Sequence, residues 1–328
     1  MHLTVSKSGF MTKSGLHLIK NRFGQKIYAF VRPKYVFYST STYHKLILLN
    51  DRMDDYLFDT SGDLFDWKVK IATAAVKNTR LMFAISAAFS SLILAFDRKY
   101  TGGGFHFYPV PSKDYDDGGD TESNLLRVAA TVFGKGVMYN DDNNGFIDAW
   151  SNDPYNLRSL FTGFIDSSFF IDTLETGKDD DVLKIMNYFK TYRSLLLSSG
   201  TLSLKEKIGK KLYMDKYSDI FIDVPYDPTL YSKSIAEDCQ KYYGIASIEF
   251  IKNMMHDTHK LERYLDNRLN EIKDYLNVDD VKYEKIVHRV ALAVCGGLLA
   301  AKYNIVSWEK KQIYKCGRDC LRDIINNN

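Results

Sequence analysis

GGGFHFYPVPSKDYDDGGDTESNLLRVAATVFG, Gly102–Gly134, has the order strand, loop, helix. FHFYPV (Phe105–Val110) is an aromatic and β-branched run. In SNLLRVAATVFG, Leu125, Ala129, Val132 and Phe133 share one helical face, and Gly134 is placed to end it. A glycine- and serine-rich loop between a strand and a helix is where backbone N–H groups and a helix N-terminus hold phosphate. Such a loop reads G-x-x-x-x-G-K-[ST], and its lysine supplies positive charge. Here Ser123 stands at the Ser/Thr position and Asn124 follows it, but Glu122 holds the lysine's place and Thr121 the glycine's. Asp114, Asp116, Asp117, Asp120 and Glu122 oppose the one cation, Lys113. Two unit charges ~4 Å apart interact by about 4 kcal/mol at an effective dielectric of about 20. Exchanging an attractive Lys for a repulsive Glu therefore turns several kcal/mol against a polyphosphate. The plainer alternative is a surface loop whose carboxylates stabilise the start of a helix.

Working outward, KIYAFV (Lys26–Val31), KYVFYST (Lys34–Thr40) and HKLILL (His44–Leu49) read as short strands in a β-rich N-terminal region, and DTSGD (Asp59–Asp63) closes it with a turn. From Trp67 the pattern becomes helical. LMFAISAAFSSLILAF (Leu81–Phe96) is shorter than the ~20 apolar residues of a spanning helix and reads as a buried core helix. TGGG (Thr101–Gly104) reads as a glycine break. Beyond the loop, FFI in SSFFIDTLE (Ser167–Glu175), the apolar run of YRSLLLSSGT (Tyr192–Thr201) and DIFIDVP (Asp219–Pro225) read as buried strands. Helical patterns dominate from Ser232. Strands alternating with helices predict an α/β layered fold.

Composition narrows the function classes. The chain has 328 residues, 45% hydrophobic and 26% charged, with a net charge of +3, so no global basic field marks a nucleic-acid binder. Cys239, Cys295, Cys316 and Cys320 are too few for a disulfide framework at this length and read as reduced thiols. Met1–Lys20 lacks the apolar core of a secretory signal, and the expectation is a cytoplasmic protein without a membrane segment.

Taken together, these pieces resemble a bacterial helicase-like family, domain of unknown function nine-two-seven. It occurs in plasmid, prophage and cassette-element primase–helicases as an ATPase module of the AAA+ kind. The resemblance runs from about Asp66 to Ile325. It is carried by WKVKIATAAVKNTRLMFAISAAFSSLIL, GGFHFY, NLLRVAATVFG, Ala149 and Trp150, FFIDTL, YRSLLLSSGTLSL, IFIDVPYD, YYGIASIEF and HRVALAVCGGLLAAKYNIVSW, in that order. It implies a P-loop (AAA+/RecA-like) layered core with an N-terminal β-rich region and C-terminal helices, divided at 1–62, 63–275 and 276–328. Active members read close to G-x-S-S-x-G-K-T-T where this chain has PVPSKDYDDGGDTESNL, roughly seven residues longer and without the lysine. The family's second acidic motif ends in Asp-Glu, whereas here Asp172 precedes Thr173. Asp172 keeps the position of a magnesium ligand, and the water-polarising Glu is lost. Ser123, Asn124 and Ser199 are what remains of a nucleotide site. The resemblance thus implies a degenerate ATPase domain acting in DNA replication or processing, with ATP and magnesium as the ligands of a site still competent to hold them. An active but atypical helicase, or an interaction module without a nucleic-acid role, is the alternative.

Four other constellations stand apart. LKEKIGKKLYMDK (Leu204–Lys216) offers Lys207, Lys210 and Lys211 to single-stranded or duplex DNA, or forms a solvated helix or hairpin face. His256 and His259 lie three apart near a helix without a visible third ligand. Asn140–Asp148 mimics the first half of a calcium loop but has Ser151 where the Glu belongs. Arg263, Arg268, Arg289, Arg318 and Arg322 supply contacts for a homo-oligomer or for association with an active helicase or primase.

Overall fold

The computed structural model describes residues 8–20, 24–40, 45–48, 58–97, 99, 102–110, 124–139, 144–160, 163–228, 233–278 and 280–327. Most of the loop quoted above and residues 140–143 of the calcium-loop mimic fall outside them. Near the N-terminus, β1 (Ser8–Met11) pairs with β5 (Lys45–Leu48), and β2 (Gly15–Lys20), β3 (Lys26–Val31) and β4 (Val36–Tyr38) form an antiparallel sheet. The central sheet is parallel. Its strands β6 (Gly103–Pro109), β7 (Asp148–Ala149), β8 (Ser168–Asp172), β9 (Leu195–Ser199) and β10 (Phe221–Tyr226) lie in the order β10-β6-β9-β8-β7. All residues of β8, β9 and β10 are buried, as expected for parallel strands covered on both faces. Pro225 is tolerated because β10 is an edge strand.

Helices cover both faces. First come α1 (Leu64–Trp67), a π-helical turn (Lys68–Ala72), α2 (Thr73–Ala75) and α3 (Thr79–Ser90). They are followed by α4 (Asn124–Ala130), α5 (Pro154–Leu160), α6 (Asp179–Thr191), α7 (Leu204–Ile208), α8 (Lys210–Lys216) and α9 (Lys233–Lys241). The long α10 (Ile245–Leu276), α11 (Glu284–Lys302) and α12 (Lys310–Asn327) complete the chain. α3 and α4 lie on one sheet face, with α11 and α12 packed on α3, and α6 lies on the other, where Phe189 meets Phe169. Thr79–Phe96 is long and apolar enough to cross a membrane, but 89% of it is buried inside the protein, as a core helix would be.

Glycine sets two close approaches. A Cβ on Gly296 of α11 would stand 2.5 Å from the Ser86 carbonyl oxygen of α3, and one on Gly297 would stand 2.4 Å from Ser86 Oγ. The two helices therefore meet backbone to backbone. The expected break at Thr101–Gly104 is instead the start of β6. A Cβ at Gly102 would lie 2.1 Å from the Phe189 carbonyl oxygen, and Gly103 has φ +118°, a region that side chains avoid. These glycines admit a neighbouring backbone and do not interrupt the strand.

A buried arginine ties the N-terminal sheet to the core. Arg32, just after β3, donates to Ser167 Oγ at 3.2 Å and Ser247 Oγ at 3.4 Å and lies over the rings of Phe58 and Phe133. Burial pushes its pKa down to about 9, against the opposing influence of Asp166. Asp166 accepts from Leu16 N at 2.7 Å and from Arg193, whose guanidinium also reaches the Leu16 carbonyl at 3.1 Å. Leu16, Phe30 and Phe58 belong to the same continuous hydrophobic cluster as the central sheet.

On the α6 face a polar row crosses three strands, with Asp223 opposite His106 in register and His106 opposite Ser198. His106 Nε2 meets the Leu202 carbonyl at 2.8 Å and so carries the proton, leaving Nδ1 to accept from Ser198 Oγ at 2.9 Å. Asp223 accepts from Leu204 N at 2.9 Å and Lys205 N at 3.0 Å, holding the first turn of α7. Burial pushes the Asp223 carboxyl up to about 7 and the His106 imidazole down to about 4. His106 is therefore a satisfied core residue.

Two outcomes follow from these buried charges. Arg32→Ala leaves a cavity and loses both hydrogen bonds, and should cost about 2–4 kcal/mol in urea unfolding, whereas Arg32→Met, of similar volume, should stay within about 1 kcal/mol of wild type. A loss below about 0.5 kcal/mol for Arg32→Ala would remove the latch. The second concerns pH. Folded Asp223 holds a proton that the unfolded chain releases between 3.8 and about 7, so its contribution improves as pH falls through that window. Folded His106 resists a proton that the unfolded chain binds between about 4 and 6.5, so its contribution worsens over nearly the same window. The two oppose each other. Asp223→Asn should therefore lose Tm more steeply than wild type from about pH 7 to about pH 5, and parallel Tm profiles would contradict the assignment.

Candidate functional site

Parallel α/β sheets present their ligand sites beyond the carboxyl ends of the strands. At that edge β8 ends in Asp172 and β9 in Ser199, on the sheet face covered by α4. Ser199 Oγ donates to Asp172 Oδ1 at 2.6 Å, and Thr173 N donates to the same oxygen at 2.8 Å. Asp172 is buried. Among the described residues no Lys or Arg forms an ion pair with it. Two of the residues that the sequence singled out thus come together. Asn124 opens α4, which packs against both strands, although its side chain is not described, and Ser123 lies outside the described residues.

Thr173 follows in the left-handed region, at φ 61° and ψ 53°, an uncommon conformation for a β-branched residue. This turns the chain through a short 3-10 segment, Leu174–Thr176, and carries Glu175 back over the end of β9. There Glu175 Oε2 accepts from Thr201 N at 3.0 Å. A Cβ at Gly200 would fall 2.6 Å from Leu174 Cβ, so the two strand ends are closed tightly against each other. Sequence reading passed over Glu175 because it looked only at the position beside Asp172.

The strand ending at the loop is also in an acidic setting. Burial, with Asp223 and Glu206 nearby, pushes the Tyr108 phenol of β6 up to about 12. Glu206 closes a capping box: its carboxylate accepts from Ser203 N at 2.9 Å, and its backbone N–H donates to Ser203 Oγ at 3.2 Å.

The three lysines separate. Lys207 pairs with Asp179 at 3.2 Å and is only 14% exposed, while Lys210 and Lys211 open α8 in solvent after Gly209. Asp179, Asp180 and Asp181 begin α6, which packs on α7, so this face carries both signs of charge. His256 and His259 are exposed on α10, and no group of three metal-binding side chains forms among the described residues. All four cysteines are buried and free, and burial pushes Cys295 and Cys320 up to about 12. Arg289 is not a surface contact. Its Nε donates to the Asp219 carbonyl at 2.9 Å and its Nη1 to the Gly102 carbonyl at 2.6 Å, beneath the starts of β10 and β6.

No curated protein matches the chain. Among solved structures, one described as "SCCmec type IV Cch - active helicase" matches with a TM-score of 0.72 at 14% identity, covering 96% of this chain and 60% of that one. The likeness is one of fold, and this chain spans about 60% of that neighbour's length. The family model for "Domain of unknown function (DUF927)" matches residues 10–188, so it takes in most of the N-terminal β-rich region, which the resemblance starting at about Asp66 left out. The chain belongs to this DUF927 family.

Proposed function

We propose that this chain is a helicase-like P-loop module of a mobile genetic element, and that it has kept the frame of an AAA+ nucleotide site without its hydrolytic chemistry. Two findings support the frame. Numbered along the chain, the five parallel strands lie in the order 5-1-4-3-2, with the loop-bearing strand between the last strand and the Ser199 strand. The solved neighbour with this fold is itself described as an active helicase. The loss of chemistry rests on one observation: the end of β8. Thr173 occupies the place of the water-activating carboxylate, Asp172 Oδ1 is already engaged by Ser199 and Thr173 N, and Glu175 is committed to Thr201 N. Phosphoryl transfer depends on positioned charge. The sequence has Glu122 where the loop lysine would stand. In this reading Ser123, Asn124 and Ser199 line a vestigial nucleotide site with Asp172 as its magnesium position, and the protein acts in the cytoplasm by contact with DNA and with partner subunits.

ATP turnover with magnesium, with and without single-stranded DNA, tests this directly. The expected result is no turnover above background and no ATP-dependent rise in Tm, where a ligand at about 100 times its Kd would add about 2.7 kcal/mol. Turnover abolished by Asp172→Ala would overturn the proposal.

A further inference from the structure

The near-neutral total charge conceals a division. The first fifty residues contain six Lys and two Arg and no Asp or Glu, whereas the remaining 278 contain 36 Lys and Arg against 41 Asp and Glu. All the excess positive charge therefore belongs to the part of the chain that forms β1 to β5. Two of these cations are already engaged: Arg32 is buried, and Lys34, on the surface, pairs with Asp59. Lys13, Lys20 and Lys26 are exposed, and none of them forms an ion pair among the described residues.

Their placement is specific. Lys20 and Lys26 are directly opposed in the β2–β3 register, at the end of the antiparallel pair where the chain passes from one strand to the next. Opposed residues have Cβ atoms about 4.5–5.5 Å apart, and like charges there are destabilising in the absence of a counter-charge. Lys13 stands two residues before β2, an edge strand whose six residues cover about 20 Å. Lys13 and Lys20 thus bracket one edge of the sheet, and Leu18 between them is 53% exposed. The sheet is held rigidly, through Arg32 and through the Asp166–Arg193 pair at Leu16.

From this we infer that the β2 edge and the Lys20–Lys26 end of the sheet form a docking surface for the phosphate backbone of single-stranded nucleic acid, separate from the nucleotide site and from the α8 lysines. Every nucleotide of a single strand carries a phosphate charge, so the strand offers a continuous row of negative charge to lysines spread along the β2 edge and its end. Lysines on an edge strand also discourage sheet-to-sheet aggregation. That role alone predicts variants that aggregate, with DNA affinity unchanged.

The test measures fluorescence anisotropy of an oligo-dT of about 30 nucleotides across a salt series. Wild type should bind at about 50 mM salt with an affinity that falls as salt rises. Lys20→Ala/Lys26→Ala should weaken binding at least about tenfold and reduce the log–log salt slope by about 1.4, with Tm unchanged or slightly raised as the like-charge pair is removed. Adding Lys13→Ala should weaken binding further, whereas Lys210→Ala/Lys211→Ala should leave it near wild type. Absence of binding at low salt, an unchanged slope in the double variant, or capture by phosphatidylserine vesicles in place of DNA would each overturn the inference. The readout involves no ATP, so its failure is distinct from a failure of the ATPase reading.

Discussion

The backbone contact between α3 and α11 is the constraint on which the rest of the molecule depends. Both helices are apolar around nearly their whole circumference, and neither could stand on a surface. Gly296 and Gly297 let them approach until Ser86 and Ser90 touch glycine, which forms a thin, dense layer behind the sheet. α11 then reaches past α3. His288 meets Asp97 at 2.9 Å, and Arg289 holds the carbonyls of Gly102 and Asp219, fixing the starts of β6 and β10. The carboxyl ends of the strands, where a ligand would sit, are positioned from behind by this layer. Glycine is a poor helix former, by about 1 kcal/mol relative to alanine, so α11 depends on its docking to stay helical.

The polar groups are divided by strand alternation. Asp172 and Ser199 face the α4 side, whereas Asp223, His106 and Ser198 face α6 and α7. One set stands at the carboxyl ends of β8 and β9; the other anchors the turn after β9. Surface loops on a rigid scaffold tolerate sequence change, and here five carboxylates fill the stretch between a strand and a helix that both form.

Apolar runs carried most of the fold into the sequence. KIYAFV, FHFY, FFI, SLLL and IFIDV are each strands, because a short buried run without helical spacing has few other places to go. β2 was missed because its side chains mix exposures, and β7 because two residues make no pattern. Asp172 and Ser199 were legible from their positions after apolar runs. Glu175 was not, since its approach to Thr201 depends on a left-handed Thr173 that composition would not suggest. Arg32 was unreadable for a different reason: an arginine in sequence reads as solvent-facing, and only the assembled rings of Phe58 and Phe133 with two serine hydroxyls make a buried place for it.

The strand order has a consequence for what counts as a unit. The family match stops at residue 188, yet both neighbours of β6, namely β9 and β10, lie beyond it, as does α11, which covers α3. A polypeptide cut at that point would keep the recognisable signature while leaving β6 with two unpaired edges and α3 with its apolar surface in water. What identifies the family is a contiguous text, whereas what folds is a closed weave in which the first half is completed only by the second.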